Sequence, residues 1–221
     1  MKILALIDDL VIKTALESII NKKNFKDVEV NYVYSYNEHH IEQVNFKPVN
    51  IKEEFKNIIG KYDLIFSLCS QVFTKELVEN VKCINFHFGL LPYACGVFPI
   101  VFSIINNIPI GVTVHLMDEK IDHGDIIYQE KVDILTIDQY REIEKKCQKR
   151  LINILENNIE NLIYGNYQTY KQDDEKRRYF SIKDLDSIGI KKEEKCEMQE
   201  FLDRLKVSDL VNSNQKRYFS F

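Results

Sequence analysis

The sequence carries no excess of positive charge: 30 Lys and Arg stand against 34 Asp and Glu, giving a net charge of -4. A domain that grips nucleic acid through its phosphates normally shows a basic excess, so no nucleic-acid partner is expected. No apolar run is long enough to span a bilayer. The apolar stretch before Asp8-Asp9 is also too short for a signal peptide, so no membrane partner is expected. The five cysteines, Cys69, Cys83, Cys95, Cys147 and Cys196, contain no Cys-x-x-Cys pair. Such an odd, scattered set argues against a disulfide frame or a zinc knuckle and for a reducing compartment; the expected location is cytoplasmic. His39 and His40 stand together without an evident third ligand, so no metal is expected. Glycine is missing from Asp8-Asp9-Leu10, where a phosphate-cradling loop would need it. Internal repeats and low-complexity segments are absent as well.

What is there is an ordinary globular composition, 221 residues with 45% hydrophobic and 29% charged. A chain of this length buries roughly 70% of its unfolded surface, enough for one α/β domain with a small appendage. Lys2–Ile7 is an apolar run that predicts a buried strand, followed by an amphipathic helix over Val11–Asn21. Val28–Tyr34, Asp63–Leu68 and Lys82–His87 predict further strands. A loop with a short helix is expected within Asn37–Asn57, and a helix over Thr74–Asn80. Strands alternating with helices imply a Rossmann-like, mainly parallel sheet with helices on both faces. Beyond Phe88 the texture changes: Gly89, Pro92, Gly96 and Pro99 mark a structured loop, feeding an apolar helix over Pro99–Asn106. Gly111–Met117 and Asp125–Asp133 predict strands around an acidic turn. The plainest helix spans Ile137–Tyr164, with Tyr140, Ile143, Cys147, Leu151, Ile154, Ile159 and Leu162 as its apolar stripe and Gly165 as its cap. From Tyr167 onward come a charge run (Lys171–Arg178), a helix-like stretch (Ile190–Arg204) and a last strand (Arg217–Phe221). The expected division is therefore a catalytic domain over 1–166 and a small C-terminal α+β subdomain, or dimerisation arm, over 167–221.

The chemistry concentrates in Ile84-Asn85-Phe86-His87-Phe88-Gly89-Leu90-Leu91-Pro92. Side chains alternate along a strand, so Asn85 and His87 share one face at a strand end, where open α/β sheets place their ligand crevices. The pair supplies a neutral hydrogen-bond donor and a group that titrates near neutrality. Acyl transfer needs both, one for a developing oxyanion and one to accept a proton. Taken alone, Asn-x-His is more simply a polar strand end. The acidic turn adds a candidate partner: Asp122 would orient His87 if the turn folds over that crevice, with Asp118 and Asp125 as rivals. Other polar groups have plainer readings. Cys69 lacks a histidine placed by sequence to activate it, His115 alternates with Val112 and Val114 as a strand histidine, and His123 is an exposed turn residue.

Asn85-x-His87-x-Gly89-Leu90-Leu91-Pro92, then Gly111-Val112-Thr113-Val114-His115, then Asp118-Glu119-Lys120-Ile121-Asp122-His123-Gly124-Asp125-Ile126 resembles the 10-formyltetrahydrofolate-dependent formyltransferase family. The likeness is strongest over Asp63–Val132. Its ordered Asn, His and Asp imply Asn85, His87 and Asp122 as catalytic residues. Pro92-Tyr93-x-x-Gly96-x-Phe98-Pro99 and Ile121-Asp122-His123-Gly124 are similar to the bacterial sugar N-formyltransferases, most of all those acting on dTDP-4-amino-4,6-dideoxyglucose. Glu200–Leu205 resembles their C-terminal region. Phe88 stands where relatives commonly carry proline, and Ala94-Cys95 and Val97 where the most similar group carries Asn-Arg and Trp. That loop helps to shape the substrate cleft. Methionyl-tRNA formyltransferases add a basic C-terminal domain; the tail here is short and mixed in charge and the whole chain is acidic, which does not favour tRNA.

The resemblance implies 10-formyltetrahydrofolate as co-substrate, without metal, and transfer of its formyl group to a nucleotide-linked amino sugar, for surface-polysaccharide (O-antigen) synthesis. His87 would be the general base, Asn85 would hydrogen-bond the tetrahedral oxyanion and Asp122 would hold His87. The pterin would lie against Leu68, Cys69, Ser70 and Gln71 and against Asp118, Lys120 and Ile121, largely through backbone groups. Tyr93 and Phe98 would line the sugar or nucleotide side, and a homodimer is expected. Two competing readings are a formyltetrahydrofolate hydrolase, whose usual N-terminal regulatory domain is not expected here, and a catalytically idle sugar-nucleotide-binding module.

Overall fold

The computed structural model describes residues 1–34, 49–135 and 137–187. Strand β1 (Lys2–Ile7) buries every residue from Ile3 to Ile7, as a strand covered on both faces must. Helix α1 (Leu10–Lys23) starts where the Asp9 carboxylate accepts the Ile12 N–H at 3.0 Å. The acid that argued against a phosphate loop is therefore the cap of this helix. Strand β2 (Glu29–Val33), helix α2 (Ile51–Ile58, capped by Asn50) and strand β3 (Leu64–Leu68) follow. Helix α3 (Lys75–Asn80) is capped by Thr74 and leads into β4 (Lys82–His87). After the short β5 (Cys95–Gly96) come α4 (Pro99–Ile105), β6 (Gly111–Leu116), β7 (Ile126–Lys131) and α5 (Tyr140–Tyr164). The described chain closes with β8 (Tyr179–Phe180) and α6 (Ile182–Ser187).

Six strands form one sheet in the order β2-β1-β3-β4-β6-β7. β1 runs parallel to β2 and β3, and β3 parallel to β4. The Leu116 N–H donates to Asp125 at 2.9 Å and the Val132 N–H to Ile110 at 2.8 Å, so β6 and β7 run in opposite directions. A mostly parallel sheet with helices is thus the observed fold class, as the alternation of elements predicts.

The chain divides into two compact units. The first comprises residues 1–87, 114–128 and 151–171. Its core joins Leu4, Leu6, Ile51, Ile58, Ile65, Phe73, Leu77, Val81 and Cys83, all buried. Register in this unit sets Ser67 of β3 beside Asn85 of β4, and the Met117 N–H donates to the Cys83 carbonyl at 2.9 Å. The C-terminal ends of β3 and β4 therefore come together, the place where such sheets build sites, while β6 runs antiparallel beside β4 with His115 level with Asn85.

The second unit comprises residues 88–113, 129–150 and the chain from 172. Thr113 Oγ1 donates to the Gly89 carbonyl at 2.6 Å and Gln129 Nε2 to the Leu91 carbonyl at 2.8 Å, fixing the loop after β4. β5 pairs in parallel with β8, Cys95 beside Tyr179 and Gly96 beside Phe180. A Cβ on Gly96 would stand 2.0 Å from the Phe180 carbonyl oxygen, so only glycine admits this pairing. Phe180 also stacks on Phe102, ring centroids 4.5 Å apart.

Most boundaries fall within a few residues of the expected ones. The long helix begins at Tyr140 rather than Ile137 because buried Asp138 receives the Leu135 N–H at 2.8 Å and the Lys146 ammonium at 2.5 Å, ending the loop there. β8 was not expected, since it sits at the end of a charge run. His39 and His40, Cys196, and the stretches Ile190–Arg204 and Arg217–Phe221 lie outside the described residues. Among the described residues, no helix is long and apolar enough to cross a membrane.

Candidate active site

β4 sends Ile84 and Phe86 into the core and turns Asn85 and His87 to the other face. Phe86 packs on Phe66 of β3 with ring centroids 5.5 Å apart, which locks the strand's rotation. His87 is 7% exposed. Its Nδ1 stands 3.7 Å from Oδ2 of Asp122, and the Asp122 side chain is 10% exposed. The other carboxylate oxygen of Asp122 lies 3.4 Å from the Asn85 amide nitrogen and 3.7 Å from Nε2 of His115. One carboxylate thus meets an amide and two imidazoles, all within the first unit. At 3.7 Å His87 and Asp122 are close neighbours but beyond hydrogen-bond distance.

Asp122 reaches this position from an unusual backbone. Its φ is 50°, the left-handed region that Asp tolerates better than most side chains. The next residue but one, Gly124, has no room for a side chain: a Cβ there would be 1.9 Å from the Leu116 carbonyl oxygen. The turn is therefore pressed onto the end of β6. The rival acids point elsewhere. Asp118 takes the Lys120 N–H on Oδ1 at 2.9 Å and Nδ1 of His123 on Oδ2 at 2.5 Å, while Asp125 accepts from the Thr169 hydroxyl at 3.4 Å.

His115, expected to be an ordinary strand histidine, is part of the cluster. It is 1% exposed, with Nδ1 2.7 Å from the Leu116 carbonyl and Nε2 3.1 Å from the Asn85 amide nitrogen. A carbonyl can only accept, so Nδ1 carries the hydrogen and the neutral ring accepts at Nε2. The Asn85 amide then donates to His115 and, over a longer distance, to Asp122. The signal in the sequence was the position of His115 at the end of β6, on the strand next to β4.

Residues 13–159 match the model of the formyl transferase family. The chain belongs to that family. Among curated proteins, the dTDP-4-amino-4,6-dideoxyglucose formyltransferase of Mycobacterium tuberculosis is 43% identical over 86 residues, 38% of this chain and 37% of that protein. The match thus spans well under half of that relative's length. Among solved structures, a sugar N-formyltransferase from a Shewanella species superposes with a TM-score of 0.80 at 31% identity, over 96% of this chain and 86% of that one. The N-formyltransferase of Helicobacter canadensis, solved with folinic acid and dTDP-3-aminofucose, gives a TM-score of 0.67 at 26% identity, over 86% of this chain and 73% of that one.

In this chain the two segments expected to hold the pterin, 68–71 and 118–121, both lie in the first unit with Asn85, His87 and Asp122. Leu68 ends β3, and its carbonyl accepts the Asp8 N–H at 2.9 Å. Burial, then the nearby Asp8 carboxylate, pushes the Cys69 thiol up to about 12, which leaves it protonated and non-nucleophilic near neutrality. Ser70 is exposed. The Gln71 amide is committed to the fold, accepting the Ile51 N–H at 2.6 Å and donating to the Val49 carbonyl at 2.7 Å. Lys120 and Ile121 are exposed at the tip of the acidic turn. Tyr93 and Phe98 belong to the second unit. Tyr93 is exposed just after Pro92, and Phe98 is half-buried with φ 48° immediately before α4.

Proposed function

We propose that this formyl transferase moves the formyl group of 10-formyltetrahydrofolate onto the amine of a nucleotide-linked amino sugar, with dTDP-4-amino-4,6-dideoxyglucose as the first candidate. The observation that carries the proposal is the Asp122 carboxylate lying 3.4 Å from the Asn85 amide and 3.7 Å from both His87 and His115, with Asn85 3.1 Å from His115. The names of the dTDP-sugar relative and of the dTDP-sugar complex support the substrate class. The formyl donor supplies an activated one-carbon acyl group; the chain's own residues do the rest.

Nδ1 of His87 faces Asp122, which supports a step in which Nε2 takes the proton of the sugar amine as the amine attacks the formyl carbon, then returns it to N10 of the folate as the carbon–N10 bond breaks. The carboxylate orients the imidazole and stabilises it once it gains that proton. Asn85 serves the developing oxyanion by exchanging its longer bond to Asp122, 3.4 Å, for one to the substrate oxygen while keeping its bond to His115. The backbone of 68–71 and 118–121 takes the pterin, and Tyr93 and Phe98 take the sugar or nucleotide. The product serves surface-polysaccharide synthesis, and residues 167–221 serve a homodimer in the cytoplasm.

The test is incubation of the protein with 10-formyltetrahydrofolate and a panel of dTDP- and GDP-linked amino sugars. A formamido sugar formed in step with folate turnover is the expected result. Folate turnover without sugar would instead make the protein a hydrolase, and sugar binding without turnover would make it an idle binding module.

A further inference from the structure

The acidic turn contains a second aspartate–histidine pair, separate from His87 and Asp122. Nδ1 of His123 lies 2.5 Å from Oδ2 of Asp118, and Oδ1 of Asp118 receives the Lys120 N–H at 2.9 Å. Both oxygens of Asp118 are therefore spent inside the turn. The His123 and Asp118 side chains are 23% and 38% exposed, while Asp122 between them is 10% exposed. The pair brackets the residue with the least common backbone of the turn, Asp122 at φ 50°. Even for an aspartate the left-handed region costs more than an extended backbone, so the contacts around it help to hold it there. On the N-terminal side the turn is tied by Lys75 of α3, whose ammonium meets Glu119 at 2.7 Å, an exposed and weak tether. On the C-terminal side Gly124 lies against Leu116. Between these ties, the Asp118–His123 contact is the side-chain bond that closes the loop around Asp122.

We propose that Asp118 and His123 are a positioning pair for formyl transfer: their hydrogen bond holds Asp122 in its left-handed conformation, carboxylate against His87. The proposal rests on the reading of Asp122 as the partner of His87. His123 is then a positioning residue, acting through the backbone of its neighbour.

The experiment compares the wild type with His123→Ala, His123→Asn and a double variant His123→Ala/Asp118→Ala in the formyl-transfer assay. The His87 imidazole signals are followed in parallel by ¹H–¹⁵N NMR. His123→Ala is expected to lower kcat about 10- to 100-fold with KM for the amino sugar within about twofold. His123→Asn places an amide donor where Nδ1 stood, and is expected to recover kcat to within about threefold. The double variant is expected to lose much less than the product of the two single effects, because one bond is removed only once. The His87 signals in His123→Ala should move in the same direction as in Asp122→Asn. Wild-type kcat in His123→Ala, a loss that asparagine does not relieve, or His87 signals that stay in place would each overturn the pair. If the wild type transfers no formyl group to any sugar, the proposed function fails, and the His87 signals alone still decide whether His123 holds Asp122.

Discussion

Removing the carboxylate or the imidazole from this site leaves a hydrogen-bonded cluster without its charge or without its base. His87→Asn and Asp122→Asn are each expected to nearly abolish transfer while thermal unfolding stays close to wild type. Neither side chain belongs to the apolar cluster of the first unit. Wild-type-like turnover in either variant removes that residue from its role. Asn85→Ala is expected to cost on the order of 10²–10³ in kcat, as loss of an oxyanion donor does, with a smaller change in sugar-nucleotide binding; the reverse pattern would make Asn85 a binding residue. Cys69 offers a contrast. With its thiol pushed up to about 12, it is expected to resist iodoacetamide at pH 8 in the folded protein, as mapped by peptide mass. Cys83 and Cys147, which burial also raises to about 12, should behave alike. Rapid alkylation of Cys69 before unfolding would contradict that environment. At this scale the sequence shows that Asn85 and His87 share a face, because strand alternation is local. It does not show that His115 completes the cluster. The ring's two nitrogens are partnered by a carbonyl on its own strand and an amide on the next, and strand adjacency is not written locally.

The elements carry the site by setting β4 and β6 side by side and by pressing one turn onto them. The turn from β6 to β7 closes only because Gly124 lies where a Cβ would meet the Leu116 carbonyl at 1.9 Å. Gly124→Ala must therefore shift the turn, and with it Asp122. The expected outcome is a loss of kcat approaching that of Asp122→Asn, with a modest loss of stability of about 1–3 kcal/mol. An alanine variant with wild-type kcat would show that the turn has room to adjust. Most elements are legible before any coordinates: apolar runs give β1 and β3, and the stripe through Ile143, Cys147, Leu151 and Ile154 gives α5, where all four are buried. β8 is not. Tyr179 and Phe180 pair with Cys95 and Gly96, more than eighty residues earlier in the chain, and a two-residue strand has no period of its own to detect. The N-terminal edge of α5 is missed for a related reason, since Lys146, six residues into the helix, supplies part of what holds Asp138.

Stability belongs to the whole molecule, and its acidic carboxylates set how it responds to pH. Asp138 is buried; burial alone would raise its pKa, but the Lys146 ammonium and the Leu135 N–H together bring it below the ordinary value. Glu119 is lowered by Lys75 and Asp173 by Lys176, both at exposed positions where solvent and salt screen the effect, and half-buried Asp184 by the Ser181 N–H. A carboxyl whose pKa is depressed on folding stabilises the protein above its unfolded value, about 4. That contribution is lost as pH falls through the folded value, because the unfolded chain binds more protons there. All four shifts have the same sign, so the melting temperature is expected to fall as pH drops from about 5 towards 3, more steeply at low salt. Asp138→Asn keeps an oxygen for the Leu135 N–H but gives up the charge facing Lys146. It is therefore expected to be less stable than wild type at pH 7 by about 1–2 kcal/mol and to lose less on acidification, as thermal unfolding across that range would show. If the variant and the wild type decline in parallel, Asp138 is not among the groups that take up protons on acid unfolding.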